Sequence, residues 1–219
     1  VRVTNVGKQC AYAARMKLFD LLGINFPKQM TEHEEIGRFL ALRRVQTSQD
    51  LSGCIADISA ILHMENDTEA LAAVQYCMSE LIRNVLEHSA AQEGAIVCAH
   101  YYQGKGPHRV SVAVADAGIG IRQHLGRVNA EANIDDIRAI ELAMAPGVTG
   151  AIRGVYGTPD NAGAGLFITR CIAKGTAGYF SLISGNAAYR LRRARSDDEQ
   201  LELNADAFMD RSDQWILPS

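Results

Sequence analysis

A stripe of apolar residues constrains this chain more than any other pattern in it. Leu71, Val74, Met78, Leu81 and Val85 recur at helical spacing, so on a helix advancing about 100° per residue they fall along one side. Glu80, Asn84 and His88 follow one another four apart on the flank beside that stripe, where residues on successive turns are neighbours. Such a helix must bury its stripe, and a sheet face can cover it while the polar trio looks into a cleft. Asn66 and Glu69 offer a capping box at its start. "GAIVCAHYY" and "RVSVAVAD" then read as strands joined through "GKGP", a connection short enough to make them antiparallel. The chain is therefore expected to be α/β, with helices over a sheet.

The other segments fit around this unit. "VRVTNV" alternates like a strand, and "QCAYAARMKLFDLLG" has a helical period ended by Gly23. A strand and one helix cannot make a domain, so residues 1–37 are expected to be the end of a preceding α/β region, with a polar connection around Pro27. "FLALRRV" reads as a strand, and Gln49–His63 as a helix. The segment Ile121–Ala162 is long, carries the helical patch "NIDDIRAIELAMA" and four glycines between 147 and 157, and is a candidate mobile lid. "LFITRCIAK" resumes a helix, and "GYFSLIS" and "AAYRLRR" form a closing hairpin through "GNA". The expected division is 1–37, a central domain at 38–195, and a C-terminal tail or extension at 196–219.

Composition excludes several roles. A formal net charge of -3 gives no electrostatic footprint for nucleic acid. No run of 18 apolar residues is present, so no segment is expected to span a membrane. Cys10, Cys54, Cys77, Cys98 and Cys171 are odd in number and lie among apolar neighbours. That usage fits reduced thiols in a cytoplasmic protein, with no zinc-binding spacing.

Three motifs in order carry chemistry: "ELIRNVLEH" at Glu80–His88, "DAGIG" at Asp116–Gly120 and "GAGL" at Gly163–Leu166. Glu80 is a candidate general base, since a carboxylate can orient a nucleophile and take its proton. Asn84 offers a hard oxygen to Mg²⁺, which needs few protein ligands when phosphates and waters supply the rest. His88, one turn on, would stand near phosphate or serve as a hydrogen-bonded support. Asp116 could accept from the exocyclic amine of adenine, while Gly118 and Gly120 let a turn pass close to a ligand. Gly163, Gly165 and Leu166 enter a helix whose first N–H groups could cradle phosphate. Each motif alone also has a plainer reading: a polar helix flank, an Asp-Gly turn, a glycine-rich helix start. The third is not a P-loop, because the Lys and Ser/Thr after its last glycine are missing.

In this order the motifs resemble the ATP-binding fold shared by sensor histidine kinases, the ATP-hydrolysing half of DNA gyrase, a heat-shock chaperone family and the mismatch-repair MutL proteins, over about residues 66–193. The short form is similar to the bacterial anti-sigma serine kinases and other stand-alone histidine-kinase-like ATPases. "ELIRNVLEHS" looks like the N box, with Glu80 at the base position and Asn84 at the metal position. "DAGIGI" looks like the first glycine box, bringing Ile121 into the site, and "NAGAGLFITR" like the second. The resemblance implies a Bergerat-type two-layer sandwich, a mixed and largely antiparallel sheet under helices, with ATP and Mg²⁺ as cofactors. Two departures stand out. Glu87 occupies the position where histidine kinases often carry lysine, and it lies within 20° of Glu80 around the helix, making it a rival base. Ala187 and Ala188 stand where many members have Gly-Thr. No phosphorylatable-histidine dimerisation helix precedes the N box. The first 23 residues also look like the last strand and helix of a STAS-type domain.

The function so implied is a bacterial regulatory protein that hydrolyses ATP or phosphorylates a protein partner. A nucleotide-dependent protein-interaction switch without turnover is the alternative. A regulatory protein partner is expected, a homodimer is compatible, and neither nucleic acid nor a membrane is.

Overall fold

The structure, a computed structural model, describes residues 10–25, 38–62, 68–102, 109–127, 130, 135–146, 165–176, 178–191 and the backbone of 212–216. It is α/β and divides into two compact units, Val1–Gly118 and Ile119–Ser219. The division falls inside "DAGIG". Among the described residues, no helix is long and apolar enough to cross a membrane.

The first unit is built as the helical stripe requires. Strand β1 (Phe39–Val45), helices α3 (Ser48–Leu62) and α4 (Thr68–His88), and strands β2 (Ala95–Tyr102) and β3 (Arg109–Ala115) follow in order. The strands form one antiparallel sheet, β1-β2-β3. Alternation decides its faces: Ala95, Val97 and Ala99 of β2 point into the core, and Ile96, Cys98 and His100 point away from it. Leu51, Cys54 and Ile58 of α3 and Met78 and Ile82 of α4 complete that core, with Leu71, Val74, Leu81 and Val85 packed against it. The whole predicted stripe therefore reaches the core, and Ile82, just beside it, is fully buried.

Helix α3 begins at a reciprocal cap. The Asp50 N–H donates to Thr47 Oγ1 at 3.1 Å, and Asp50 Oδ2 accepts from the Thr47 N–H at 3.0 Å and the Gln46 N–H at 3.1 Å. This is a capping box with aspartate as its acid. The box expected at Asn66 and Glu69 lies partly outside the described residues. The N-terminal helix is broken in two, α1 (Cys10–Arg15) and α2 (Leu18–Leu21). The break is at Lys17, whose φ of 58° is left-handed and cannot continue a helix. The strand expected at 1–6 lies outside the described residues.

The second unit comprises α5 (Gly120–Leu125), α6 (Asp136–Ala143), α7 (Gly165–Gly175), β4 (Phe180–Ser184), β5 (Ala187–Leu191) and β6 (Ser212–Ile216). Its sheet is also antiparallel, ordered β4-β5-β6. The hairpin through Gly185 and Asn186 is as expected. β6, within the segment read as a tail, pairs along β5. α5 was not anticipated: the glycines before it read as breakers, yet Gly120 opens a helix. Ile140, Met144, Phe180, Ala187, Tyr189 and Leu191 form this unit's main core. Every strand pairing described in the two sheets is antiparallel.

Candidate functional site

Helix α4 places the first motif. Glu80 is only 7% exposed, one of two buried polar or charged residues among those described. Its Oε1 accepts from Arg83 Nη1 at 3.2 Å. Burial strips water from the carboxylate, and the guanidinium one turn away supplies compensating charge. Neither Arg83 nor Tyr76 was singled out from the sequence, although the spacings Glu80–Arg83 and Tyr76–Glu80 are helix-neighbour spacings. Burial first, and then the Glu80 charge, push the Tyr76 hydroxyl above its ordinary pKa.

Asn84 is half-buried one turn further on, and His88 is half-buried at the end of the helix. His88 Nε2 lies 3.9 Å from Glu87 Oε2, too long for a hydrogen bond. Glu87 separates from its rival by burial: it is exposed, whereas Glu80 is buried. Angular position made the two carboxylates equivalent; their surroundings do not.

The second motif meets the first at Gly118. A Cβ on Gly118 would overlap the carbonyl oxygen of Ser89, immediately after α4, so only glycine lets the turn seat there. The turn is closed by its own aspartate, the Gly118 N–H donating to Asp116 Oδ1 at 2.8 Å. This is the local Asp-Gly geometry that the plainer reading anticipates. It occupies one carboxylate oxygen, and no described residue hydrogen-bonds the other. Asp116 is exposed.

The remaining candidates belong to the second unit. Gly120 has a φ of 77°, and a Cβ there would stand 3.3 Å from Ser184 Oγ. The Ile121 N–H donates to that same hydroxyl at 2.9 Å, which anchors the start of α5 to the end of β4. Ile121 and Leu166 both pack against Leu125, Ala139 and Ala143, so the residue after the second motif and the last residue of the third meet in one apolar cluster. Gly165 is buried as the first residue of α7. Gly163 and the glycines of the expected lid lie outside the described residues. Ala187 and Ala188 are buried, with no hydroxyl to offer a ligand.

An open depression of about 390 Å³ in the second unit is lined by Ile119, Arg122, Gln123, Gly126, Arg127 and Asp136. It contains no first-motif residue. Among the described residues, no group of three or more His, Cys, Asp and Glu side chains could hold a metal ion. Comparison with family models, curated proteins and solved structures gives no match.

Proposed function

We propose that the chain is a nucleotide-dependent regulatory protein of the histidine-kinase-like type, binding ATP with Mg²⁺ and hydrolysing it or passing its γ-phosphoryl group to a protein partner. One observation carries the reading: a buried glutamate and a half-buried asparagine stand one turn apart on a single helix, and the Asp116–Gly118 turn is seated on that helix's end. Glu80 and His88 are separated by about 12 Å of helix axis, so the helix can present different groups to different parts of an elongated ligand.

In this reading Glu80 orients the attacking hydroxyl of water or of a serine or threonine and accepts its proton. Asn84 would hold the Mg²⁺, which when bound neutralises phosphate charge, phosphates and waters completing its shell. The free oxygen of Asp116 accepts from the adenine amine, and guanine, with an oxygen at that position, is disfavoured. Gly163, Gly165 and Leu166 serve phosphate at the start of α7, and the sandwich of the Bergerat type is the expected frame.

The test is Glu80→Gln, with phosphate release normalised to bound ATP. Nucleotide binding should persist while turnover falls by about 10²–10⁴-fold, the usual weight of a general base. A mutant rate equal to wild type removes Glu80 from the mechanism, and equal calorimetric affinities for ATP and GTP reject Asp116 as the base reader. The Arg83 hydrogen bond to Glu80 favours a second reading, a nucleotide switch without turnover. Binding with neither phosphate release nor phosphoryl transfer to a partner in the wild type would select it.

A further inference from the structure

The partner of Glu80 can do more than neutralise it. Arg83 Nη1 lies 3.2 Å from Glu80 Oε1, and the two side chains differ in exposure, 44% for the arginine against 10% for the glutamate. An ion pair three residues apart on a helix is ordinarily a weak surface contact. Here the acid is buried on α4, and the base reaches in to it from solvent on a long stem. The guanidinium has five N–H donors, and among the described residues Glu80 is its one hydrogen-bonding and ion-pairing partner. Arg83 can therefore leave this pair, and Glu80 cannot.

The helix sets what Arg83 could leave for. At 3.6 residues per turn, Arg83 stands about 60° to one side of Glu80 and Asn84 about 40° to the other. The carboxylate is thus flanked by a cation and by the group that would hold Mg²⁺.

We propose, resting on the reading that ATP binds at this helix, that Arg83 is a γ-phosphate sensor. It pairs with Glu80 in the absence of a triphosphate and turns to the γ-phosphoryl oxygens when one is bound. The distance is within its reach. A base touching its nucleophile and a nucleophile aligned for attack each span about 3 Å. The phosphoryl group then stands roughly 6 Å from Glu80 Oε1, the oxygen that the guanidinium already touches. Charge favours the exchange, because phosphoryl oxygens accept from guanidinium in the same forked geometry as a carboxylate and carry more negative charge. The exchange leaves Glu80 Oε1 able to accept a proton, and Glu80 keeps a positive neighbour on its other side, where Asn84 would hold the Mg²⁺. Arg83 so ties the availability of the base to the presence of the γ-phosphate, whether or not turnover follows.

The experiment is calorimetry of the whole chain with Mg²⁺, comparing ADP with an ATP analogue whose β,γ bridge is an imide and resists hydrolysis. The ratio of the two affinities is the readout, since a merely structural role would weaken both nucleotides alike. Arg83→Gln should cut the preference for the triphosphate by about tenfold, the low end for a hydrogen bond to a charged group, and leave ADP affinity in place. Arg83→Lys should keep part of the preference, because it keeps the charge without the fork. Glu80→Gln should raise the preference by about two- to fivefold, since it loosens the competing pair, and that gain should vanish when Arg83→Gln is added. The double variant leaves no buried charge unpaired, so its ratio against that of Glu80→Gln alone carries the test should Arg83→Gln fail to fold. An unchanged ratio on loss of Arg83, or equal losses for both nucleotides, overturns the sensor while nucleotide binding stands. Failure of the wild type to bind either nucleotide overturns the ATP reading itself, and the sensor with it.

Discussion

The two units hold their motif residues by different means. In Val1–Gly118, Glu80 and Asn84 ride on a 21-residue helix clamped by one continuous apolar core. In Ile119–Ser219 the described candidates sit at element ends, where Ile121 and Leu166 pack on a smaller apolar cluster and Ser184 Oγ accepts from the Ile121 N–H; nearby, Asp136 Oδ2 accepts from the Asn186 N–H at 2.9 Å. A long helix presents side chains at fixed angular positions but cannot easily move one without the rest. Element ends can shift when one hydrogen bond is exchanged. The first arrangement suits groups that need constant mutual geometry, and the second suits groups that respond to a ligand.

The largest expected difference is in the cores. Ile82→Ala removes a side chain with no exposure from the extensive first core, and Ile140→Ala one with 1% from the smaller second. Both should cost within about 2–5 kcal/mol, Ile82 toward the upper end because a continuous core collapses less around a cavity. Urea unfolding of both variants checks this, and equal losses would erase the contrast. Gly118→Ala tests the seat on α4 and should cost about 1–3 kcal/mol, since the backbone must withdraw from Ser89 to admit a methyl group. An unchanged thermal midpoint would show that the turn is free to move. Asp136→Ala removes the acceptor for Asn186 in the second unit and should cost about 0.5–1.5 kcal/mol, with faster amide exchange confined to the β4–β5 turn.

The smallest effect is one of acidity. Bonds from the Gln46 N–H, and then from Thr47, hold Asp50 below the usual carboxylate range. Its contribution is present at neutral pH and is lost as pH falls through that lowered value. The gap in thermal midpoint between wild type and Asp50→Asn should therefore close below about pH 4. A gap that stays constant into strong acid would show that the carboxylate charge is irrelevant to the cap.

Legibility in the sequence followed periodicity and not the boundary between the units. The α4 stripe, the β2–β3 pair, β1, α3 and the closing hairpin were readable because period-2 and period-3.6 patterns are enforced wherever one face is buried. α5 was not, because a glycine with positive φ breaks a strand and opens a helix with equal ease. The kink at Lys17 was hidden because a non-glycine residue in the left-handed region has no local signal. Within the site, spacing placed Glu80 and Asn84 together but could not rank Glu80 above Glu87. Periodicity gives an angle around the helix, whereas burial depends on what covers each turn. The Gly118–Ser89 contact was equally invisible, since it joins two motifs through backbone alone.

The cysteines of this chain turn the comparison into a chemical clock. Cys54 has no exposed surface and lies under Arg43, whose Nη1 is bound to Asp57 at 2.8 Å; burial pushes its thiol up. Cys171 on α7 is half-buried and belongs to the second unit. An alkylating reagent can reach Cys54 only when the first core opens, but it can reach Cys171 through far smaller fluctuations. Timed labelling followed by mass analysis would therefore read the opening of each unit separately, in the unmodified sequence and without any added dye or reporter.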